Sequence, residues 1–360
     1  MRRLAVVVLA MLAACGTSPV GDSTTVTSTT LLATTSTSTT AVPTTSTSLA
    51  PTTTTGAVVP LPTVEGLVEY PVPAGTHPHD VAVTPDGAVW YTGQETGVLG
   101  RIDPAMGDLE EVDLGPGSAP HGVIVGPDRA LWVTDGGLNA IVRVDPSSRR
   151  VRTFLLDGGD ANLNTAVFDL DGILWFTGQA GIYGRLDPAT AEMEIFEAGG
   201  AGPYGITVTP SNEVFYASLA GNHIAQIDVA TGMATRIDPP TADQGARRVW
   251  SDSSGVVWVS EWNAGQLGAY DPSNQTWQEW PLPSGAVARA YAVYVDETDR
   301  VWLTDFGGNG SLVRFDPFTE TFESFPLPTP NGDVRQLNGI EGQVWGAESA
   351  ANALIVARFG

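Results

Sequence analysis

Lysine is absent from this sequence of 360 residues, and cysteine occurs only once. All 17 basic residues are therefore arginine, and 40 acidic residues outnumber them, which gives a formal net charge of −23 at pH 7. Because a chain this acidic is repelled by phosphate backbones, we expect no binding to nucleic acid. A single cysteine excludes both an intramolecular disulfide and a zinc site built from cysteines.

Charged residues make up only 16% of the chain, and long stretches with the apolar spacing of an amphipathic helix are missing. The chain instead contains 41 glycines and 26 prolines, a composition typical of a protein with many turns. The lack of helical periodicity argues against an α/β fold and predicts an all-β protein.

The N-terminus has the pattern of an export signal. Arg2 and Arg3 precede a short apolar run from Leu4 to Leu12, and residues 12–15 read LAAC, which matches the bacterial lipobox. The run is too short to span a bilayer stably. We therefore predict a lipoprotein signal peptide at residues 1–14, lipidation of Cys15, and an exported protein anchored in the cell membrane. An ordinary secreted protein with a stray cysteine is the alternative.

Residues 15–62 consist mainly of threonine, serine, proline and alanine, and Asp22 is their only charged residue before the repeats begin. Such a segment cannot bury enough apolar surface to offset the entropy lost on ordering. We interpret it as a disordered tether between the membrane anchor and a folded domain.

A unit of about 42 residues recurs seven times between residues 63 and 360. Its clearest mark is an aromatic residue that ends an apolar stretch, namely Trp90, Trp132, Trp175, Phe215, Trp258, Trp302 and Trp345. An Arg-apolar-Asp-Pro mark follows in most units, and Gln226 and Ala269 replace the arginine in two of them. Each unit contains four short apolar stretches separated by turns, so the sequence predicts a seven-bladed β-propeller.

The two ends of the repeat array predict how the ring closes. The last unit stops after its third strand, whereas the segment EYPVP at residues 69–73 resembles the fourth strand of other units and has no unit of its own. We expect this N-terminal strand to complete the last blade and leave the ring without an open edge. A closed ring of this kind is expected to be a monomer.

Two sets of residues are expected at one mouth of the central channel, because the start of each first strand lies beside the end of the second. The first set is polar throughout and comprises His79, His121, Asn164, Tyr204, Arg247, Tyr291 and Arg335. The second set follows the Trp-x-Thr mark and comprises Gly93, Asp135, Gly178, Ser218, Glu261, Asp305 and Glu348.

These sets supply the candidate functional residues. We expect Asn164, Tyr204, Arg247, Tyr291, Arg335 and Asp135 to contact a small-molecule or peptide ligand. Glu261, Asp305 and Glu348 are candidate ligands of a divalent cation, and oxygen ligands favour Mg²⁺, with Ca²⁺ second. Two explanations without any bound ligand remain open. Polar residues are common in hydrated channels, and an arginine beside a glutamate can be a simple charge pair.

The amino-acid sequence of the repeats resembles that of the virginiamycin B lyase (streptogramin lyase) family. The resemblance is carried by PHGV at residues 120–123, LWVTD at 131–135, IVRV at 141–144 and VWVSEWN at 257–263. It implies a seven-bladed propeller that opens the ester of a cyclic depsipeptide antibiotic by elimination, with Mg²⁺ and a base. In that family a histidine follows the glutamate of this mark by two residues. Glu261 matches the glutamate, and Asn263 stands in place of the histidine.

Three functions remain open at this stage. The first is a surface module that binds a ligand at the channel mouth without changing it. The second, implied by the resemblance, is a metal-dependent lyase in which Glu261, Asp305 and Glu348 hold Mg²⁺ and His121 or His79 is the base. The third is a lactonase-like hydrolase, although those propellers usually have six blades.

Overall fold

The computed structural model describes residues 66–200 and 202–359, together with the backbone of residues 37–40, 44–45 and 52–53. The predicted signal peptide at 1–14, the predicted lipidation site Cys15 and the rest of the predicted tether lie outside the described residues.

Seven antiparallel sheets make up the fold, and each contains the four strands of one blade. These strands are consecutive in sequence in blades 1 to 6. The first strands, in blades 1 to 7, are Pro78–Val83, Pro120–Val125, Leu163–Phe168, Pro203–Val208, Ala246–Ser251, Ala290–Val295 and Val334–Ile340. The second strands are Val89–Gly93, Leu131–Asp135, Leu174–Gly178, Val214–Ser218, Val257–Glu261, Val301–Asp305 and Gln343–Glu348.

The outer half of each blade is formed by its third and fourth strands. The third strands are Val98–Asp103, Ala140–Val144, Ile182–Leu186, His223–Ile227, Gln266–Asp271, Ser311–Asp316 and Ala353–Arg358. The fourth strands of blades 1 to 6 are Asp108–Asp113, Val151–Leu155, Glu192–Glu197, Ala234–Ile237, Thr276–Pro281 and Thr321–Pro326. The fourth strand of blade 7 is Leu67–Pro71, from the start of the domain.

The blades form a closed ring around the first strands. Each first strand contacts the first strands of both neighbouring blades, and that of blade 7 contacts that of blade 1. The hydrophobic core lies between blades, as shown by one buried cluster that holds Trp345 of blade 7 together with Val81 and Tyr91 of blade 1. The predicted seven-bladed propeller is confirmed.

The ring is closed by pairing between the two ends of the domain, as predicted. Strand Leu67–Pro71 runs antiparallel to Ala353–Arg358. The backbone N–H of Val72 extends the pairing by donating to the carbonyl of Asn352 at 2.9 Å. Blades 1 to 6 each take their four strands from one stretch of chain, whereas blade 7 joins strands from the two ends of the domain.

A β-bulge interrupts the pairing of the first and second strands in all seven blades. In blade 1, for example, the register jumps from Pro78–Gly93 to Val81–Tyr91, so that two residues, His79 and Asp80, lie opposite one residue, Thr92. A bulge lets two consecutive side chains leave the strand near the same side, which regular alternation forbids. The residues at the channel mouth therefore come in pairs.

In blades 1, 2, 3 and 5 the hydroxyl two residues after the aromatic mark holds the bulge and joins it to the next blade, whereas Ala217 and Ala347 occupy this position in blades 4 and 7. The Oγ1 atom of Thr92 accepts the N–H of Asp80 at 3.0 Å and donates to the carbonyl of His121 in blade 2 at 2.8 Å. Blades 2, 3 and 5 repeat both bonds through Thr134, Thr177 and Ser260. One side chain thus satisfies a buried N–H and a buried carbonyl in neighbouring sheets.

Three short strands from the threonine-rich segment pair with the outer edges of the ring. Thr37–Thr40, Thr44–Thr45 and Thr52–Thr53 lie antiparallel to the fourth strands of blades 3, 2 and 1. The only helix in the described part of the chain is the single 3₁₀ turn Gly285–Val287, and no helix there is long and apolar enough to cross a membrane.

Removing the closing strand should destabilise the whole ring. We compare a chain that begins at residue 64 with one that begins at residue 74, so that both lack the threonine-rich segment. The shorter chain loses the packing of Tyr70 on Trp345, whose ring centroids lie 5.3 Å apart, and exposes the edge of Ala353–Arg358. We expect its Tm to fall by roughly 10 °C or more in calorimetry. Equal melting temperatures would contradict the closure.

Candidate functional site

Four polar side chains from four blades meet at the centre of the channel mouth. The imidazole rings of His79 and His121 lie with their centroids 3.8 Å apart. The hydroxyl of Tyr291 lies 2.7 Å from the hydroxyl of Tyr204, which lies 3.4 Å from Nε2 of His121. All four side chains are buried. The first strands of blades 1, 2, 4 and 6 therefore contribute to one polar cluster.

Hydrogen bonds fix how the two imidazoles are oriented. Nδ1 of His121 donates to the carbonyl of Asn164 at 3.0 Å, which leaves Nε2 to accept from Tyr204. Nδ1 of His79 donates to Oδ1 of Asp80 at 2.8 Å, which leaves the lone pair of its Nε2 free. Burial holds the pKa of both histidines well below the usual value, and the charge of Arg248 adds to this effect. Both rings are therefore neutral at pH 7.

An arginine and an aromatic wall form the outer part of the mouth. The guanidinium carbon of Arg247 lies 4.3 Å from the ring centroid of Tyr291 and 4.4 Å from that of Trp262. Phe306 stacks on Tyr291 with the ring centroids 4.9 Å apart, and it meets Trp262 edge to face at 5.4 Å. Trp262 and Phe306 were not among the predicted site residues, although each directly follows the last residue of a second strand.

Arg335 lies at the rim and Asn164 lies deeper. The guanidinium of Arg335 is 5.9 Å from the ring centroid of Tyr291, and its nearest carboxylate is that of Asp333, 3.7 Å away. The amide of Asn164 is occupied within the protein, since Nδ2 donates to the carbonyl of Asn162 and Oδ1 accepts from Gln179, both at 2.8 Å. Arg335 is thus available to a ligand, whereas Asn164 supports His121.

A buried ion pair crosses the channel behind this cluster. Arg248 of blade 5 contacts both carboxylate oxygens of Asp80 of blade 1, at 2.7 and 3.2 Å, and also donates to Thr165 at 3.1 Å. All three residues are second members of the bulge pairs, and none of them was among the predicted site residues. Beyond them the channel continues as a cavity of about 160 Å³, lined mainly by apolar residues of the first strands. The ion pair separates this cavity from the mouth.

Asp135 and Asp305 shape loops and do not face the mouth. Oδ1 of Asp135 accepts the N–H groups of Ala119 and Leu138 at 2.9 Å each. Asp305 does the same in blade 6, where its Oδ1 accepts from Arg289 and Gly307. The prediction placed Asp135 against a ligand and Asp305 on a metal. Side chains at a strand end point to the faces of the sheet, which explains why these carboxylates turn into the loops instead.

Glu261 and Glu348 are also buried inside their own blades. Oε2 of Glu261 accepts from Gln266 at 2.6 Å, and its other oxygen lies over Gly268, where a side chain would collide with it. Burial raises the pKa of Glu261 to about 8, and burial with the nearby charge of Glu69 raises the pKa of Glu348 to about 9. Both carboxyls are therefore protonated at neutral pH.

The structure does not bring Glu261, Asp305 and Glu348 together as ligands of one ion. Within residues 66–200 and 202–359, the only group of histidine, cysteine, aspartate or glutamate side chains close enough to share a cation is His79, Asp80 and His121. This group does not fit Mg²⁺, because it offers two imidazoles and a single carboxylate that Arg248 already engages through both oxygens.

The buried carboxyl of Glu261 predicts an unusual dependence of stability on pH. In the unfolded chain this group ionises near 4.5, whereas in the folded chain its pKa is about 8. The folded state binds the additional proton, so stability falls as pH rises between these values, by at most about 1.4 kcal/mol per pH unit. We expect Glu261→Gln to leave the Tm unchanged at pH 4.5 and to raise it at pH 8.

Asp135→Asn is the matched control for that measurement. An amide has one acceptor oxygen and would lose bonds that the carboxylate accepts from its loop, so this variant should melt lower at both pH values. A difference between Glu261→Gln and the unaltered protein that stays constant from pH 4.5 to 8 would contradict the burial of an acidic proton at this position.

Comparisons with known proteins agree with the fold. The model of the virginiamycin B lyase family matches residues 33–286. A solved structure of a catalytically inactive histidine-to-alanine variant of virginiamycin B lyase from Staphylococcus aureus, with quinupristin, is 19% identical, has a TM-score of 0.75, and covers 82% of this chain and 99% of its own. A streptogramin B lyase structure is 22% identical, with a TM-score of 0.73 and coverage of 81% and 96%.

A more distant structural relative comes from a surface protein. The extracellular domain of a putative one-component system from B. thetaiotaomicron is 14% identical, has a TM-score of 0.65, and covers 84% of this chain and 47% of its own. A search of the curated proteins found no match. Solved structures at these identities establish the propeller fold alone, whereas the family match extends over more than half of the chain. This protein therefore belongs to the virginiamycin B lyase family.

Proposed function

We propose that the propeller is a binding module whose channel mouth holds a small molecule or peptide through an acidic group of that ligand. The observation that carries the proposal is Arg247. It is partly buried over Tyr291 and Trp262, its Nε makes no hydrogen bond, and no carboxylate pairs with it in the described part of the chain. A half-buried guanidinium without a counterion is costly, and an anionic ligand would compensate for it.

The surroundings of Arg247 support an acid that also carries an apolar or aromatic part. Trp262, Phe306 and Tyr291 present ring surfaces beside the guanidinium, and Arg335 adds a second positive charge at the rim. The neutral Nε2 of His79 can accept a hydrogen bond from the ligand. In a chain of net charge −23, this cluster is a local exception that would draw an acid to the mouth.

The proposal includes export and lipid anchoring through Cys15. It is supported by the LAAC pattern at residues 12–15 and by the extracellular location given for a structural relative. Anchored in this way, one propeller, acting as a monomer, would present its channel mouth outside the cytoplasm.

Arg247 should determine the preference for acids. We use N-acetyl-phenylalanine as the probe and its neutral amide as the comparison, both measured by calorimetric titration. The acid should bind at least tenfold more tightly than the amide, and Arg247→Met should remove this difference while keeping the side-chain volume. Arg300→Met is the control, because the half-buried Arg300 follows the turn between the first and second strands of blade 6, its side chain donates to the neighbouring Thr298, and its loss should leave the preference intact. Equal binding of acid and amide by the unaltered protein would refute the proposal.

A lyase that opens a cyclic depsipeptide ester is the second candidate. It is favoured by the two neutral imidazoles, because an elimination needs a base in its unprotonated form to remove a C–H proton. Against it stand Asn263 at the position of the family's histidine and the separation of Glu261, Asp305 and Glu348. No step through Mg²⁺ is derived for this chain, since the donors present do not fit that ion.

Quinupristin separates the two candidates directly. We expect it to remain intact after incubation with the protein and MgCl₂, as judged by liquid chromatography with mass detection. Elimination would give a new chromatographic peak of unchanged mass, and hydrolysis would add the mass of one water. Ring opening that is lost in His121→Gln and His79→Gln would support the lyase and replace the binding-only proposal.

A further inference from the structure

A row of three side chains crosses the strands of several blades in the same way. The second-strand tryptophan lies opposite the arginine of the Arg-apolar-Asp-Pro mark, and this arginine lies opposite a glutamate on the fourth strand. Blades 1, 3 and 6 contain the rows Trp90–Arg101–Glu110, Trp175–Arg185–Glu194 and Trp302–Arg314–Glu323.

The arginine of this row sits on a pair of stacked aromatic rings. In blade 6, Trp302 and Phe325 stack at 5.7 Å, and the guanidinium of Arg314 lies 5.4 and 5.8 Å from the two centroids. In blade 3, Arg185 lies 5.4 and 5.8 Å from the corresponding two rings. The same geometry in two blades shows that this aromatic pair is a binding surface for a guanidinium.

Blade 5 keeps the aromatic pair and lacks the arginine. Trp258 and Trp280 stack at 5.8 Å with an interplanar angle of 29°, but Ala269 lies opposite Trp258 and Gln278 lies opposite Ala269. A cavity of about 560 Å³ adjoins them. Its lining includes both tryptophans, Ala269 and Gln278, so it occupies the place where other blades hold the guanidinium.

We propose that this cavity in blade 5 binds a guanidinium group, supplied by an arginine side chain of a peptide partner. Three carboxylates line the cavity, namely Asp252, Asp271 and Glu320, and they provide the negative charge that the row glutamate supplies in blades 1, 3 and 6. Gln278 and Glu320 are exposed, so a side chain can enter from solvent. The cavity therefore suits a flat cation that stacks on an indole ring and donates hydrogen bonds to carboxylates at its edge.

This site is independent of the channel mouth. The mouth presents arginines to an acid, whereas the blade 5 cavity presents tryptophans and carboxylates to a cation. The two sites also share no residue. The mouth is formed by first strands with Trp262 and Phe306, whereas the cavity is formed by the second to fourth strands of blade 5, the turns beside them and the blade 6 turn that holds Glu320. Failure of either proposal therefore leaves the other intact.

The test uses N-acetyl-arginine methylamide as the probe and the corresponding citrulline compound as a neutral isostere. Binding is followed through the indole N–H signals of the folded protein in two-dimensional NMR. We expect saturable shifts with a millimolar Kd for the arginine compound, and binding at least tenfold weaker for the citrulline compound. Methylguanidine, which lacks the peptide part, separates recognition of the cation alone from recognition of the residue.

Ala269→Arg should remove the site by filling it with the chain's own guanidinium. We expect this variant to lose at least nine-tenths of the binding. Gln226→Arg is the matched control, since Gln226 holds the same repeat position in blade 4, and this variant should bind as the unaltered protein does. Equal binding of the arginine and citrulline compounds, or full binding by Ala269→Arg, would overturn the proposal.

A second variant covers the case in which Ala269→Arg fails to fold. Glu320 lies on an exposed turn, so Glu320→Gln should keep the fold while removing one carboxylate from the cavity. It should weaken binding of the arginine compound at least threefold at low ionic strength, where charge attraction is least screened. Unchanged affinity in this variant would also refute the site.

Discussion

The channel mouth depends on a hydroxyl that holds the β-bulge in blades 1, 2, 3 and 5. In blade 1, Oγ1 of Thr92 takes the N–H of Asp80 and gives its own proton to the carbonyl of His121 in the next blade. The bulge would otherwise leave these two backbone groups buried and unpaired, at a cost of about 1–3 kcal/mol each. The same bonds join the first strands of neighbouring blades in that part of the ring.

The bulge also explains why polar and charged groups appear in two layers. One member of each pair lies at the mouth, as His79 and Arg247 do, and the other lies behind it, as Asp80 and Arg248 do. The buried pair of Asp80 and Arg248 is held by two hydrogen bonds and supports His79 from behind. Removing either partner would leave a buried charge unpaired, which is far more costly than the pair is stabilising.

Differences between blades carry the functional information in this repeat protein. The parts that most blades share, namely the tryptophan, the hydroxyl and the turn aspartates, build the ring and are satisfied within it. Arg247 at the mouth and Ala269 in blade 5 both depart from what the repeat supplies elsewhere. Arg247 adds a cation that no carboxylate pairs with among the described residues, and Ala269 removes a cation from a place that can hold one. The guanidinium of Arg247 and the cavity beside Ala269 are therefore features that the packing of the fold does not use.

The sequence by itself determined the number of blades, the order of strands and the closure of the ring, because each follows from spacing along the chain. Seven aromatic marks at regular intervals, and an unmatched strand at residues 69–73, leave no other arrangement that pairs every strand. Sequence reasoning also identified His79, His121, Tyr204, Arg247 and Tyr291, since polar residues stand out beside apolar strands.

Only the tertiary structure decided the direction of the side chains. The aligned positions of Glu261, Asp305 and Glu348 suggested a shared site, but each carboxyl turns into its own blade or loop. Asp80 and Arg248 were missed because regular strand alternation would have pointed them away from the channel, and the bulge reverses this. Spacing along a chain determines which strands pair, whereas local backbone geometry determines what each residue faces.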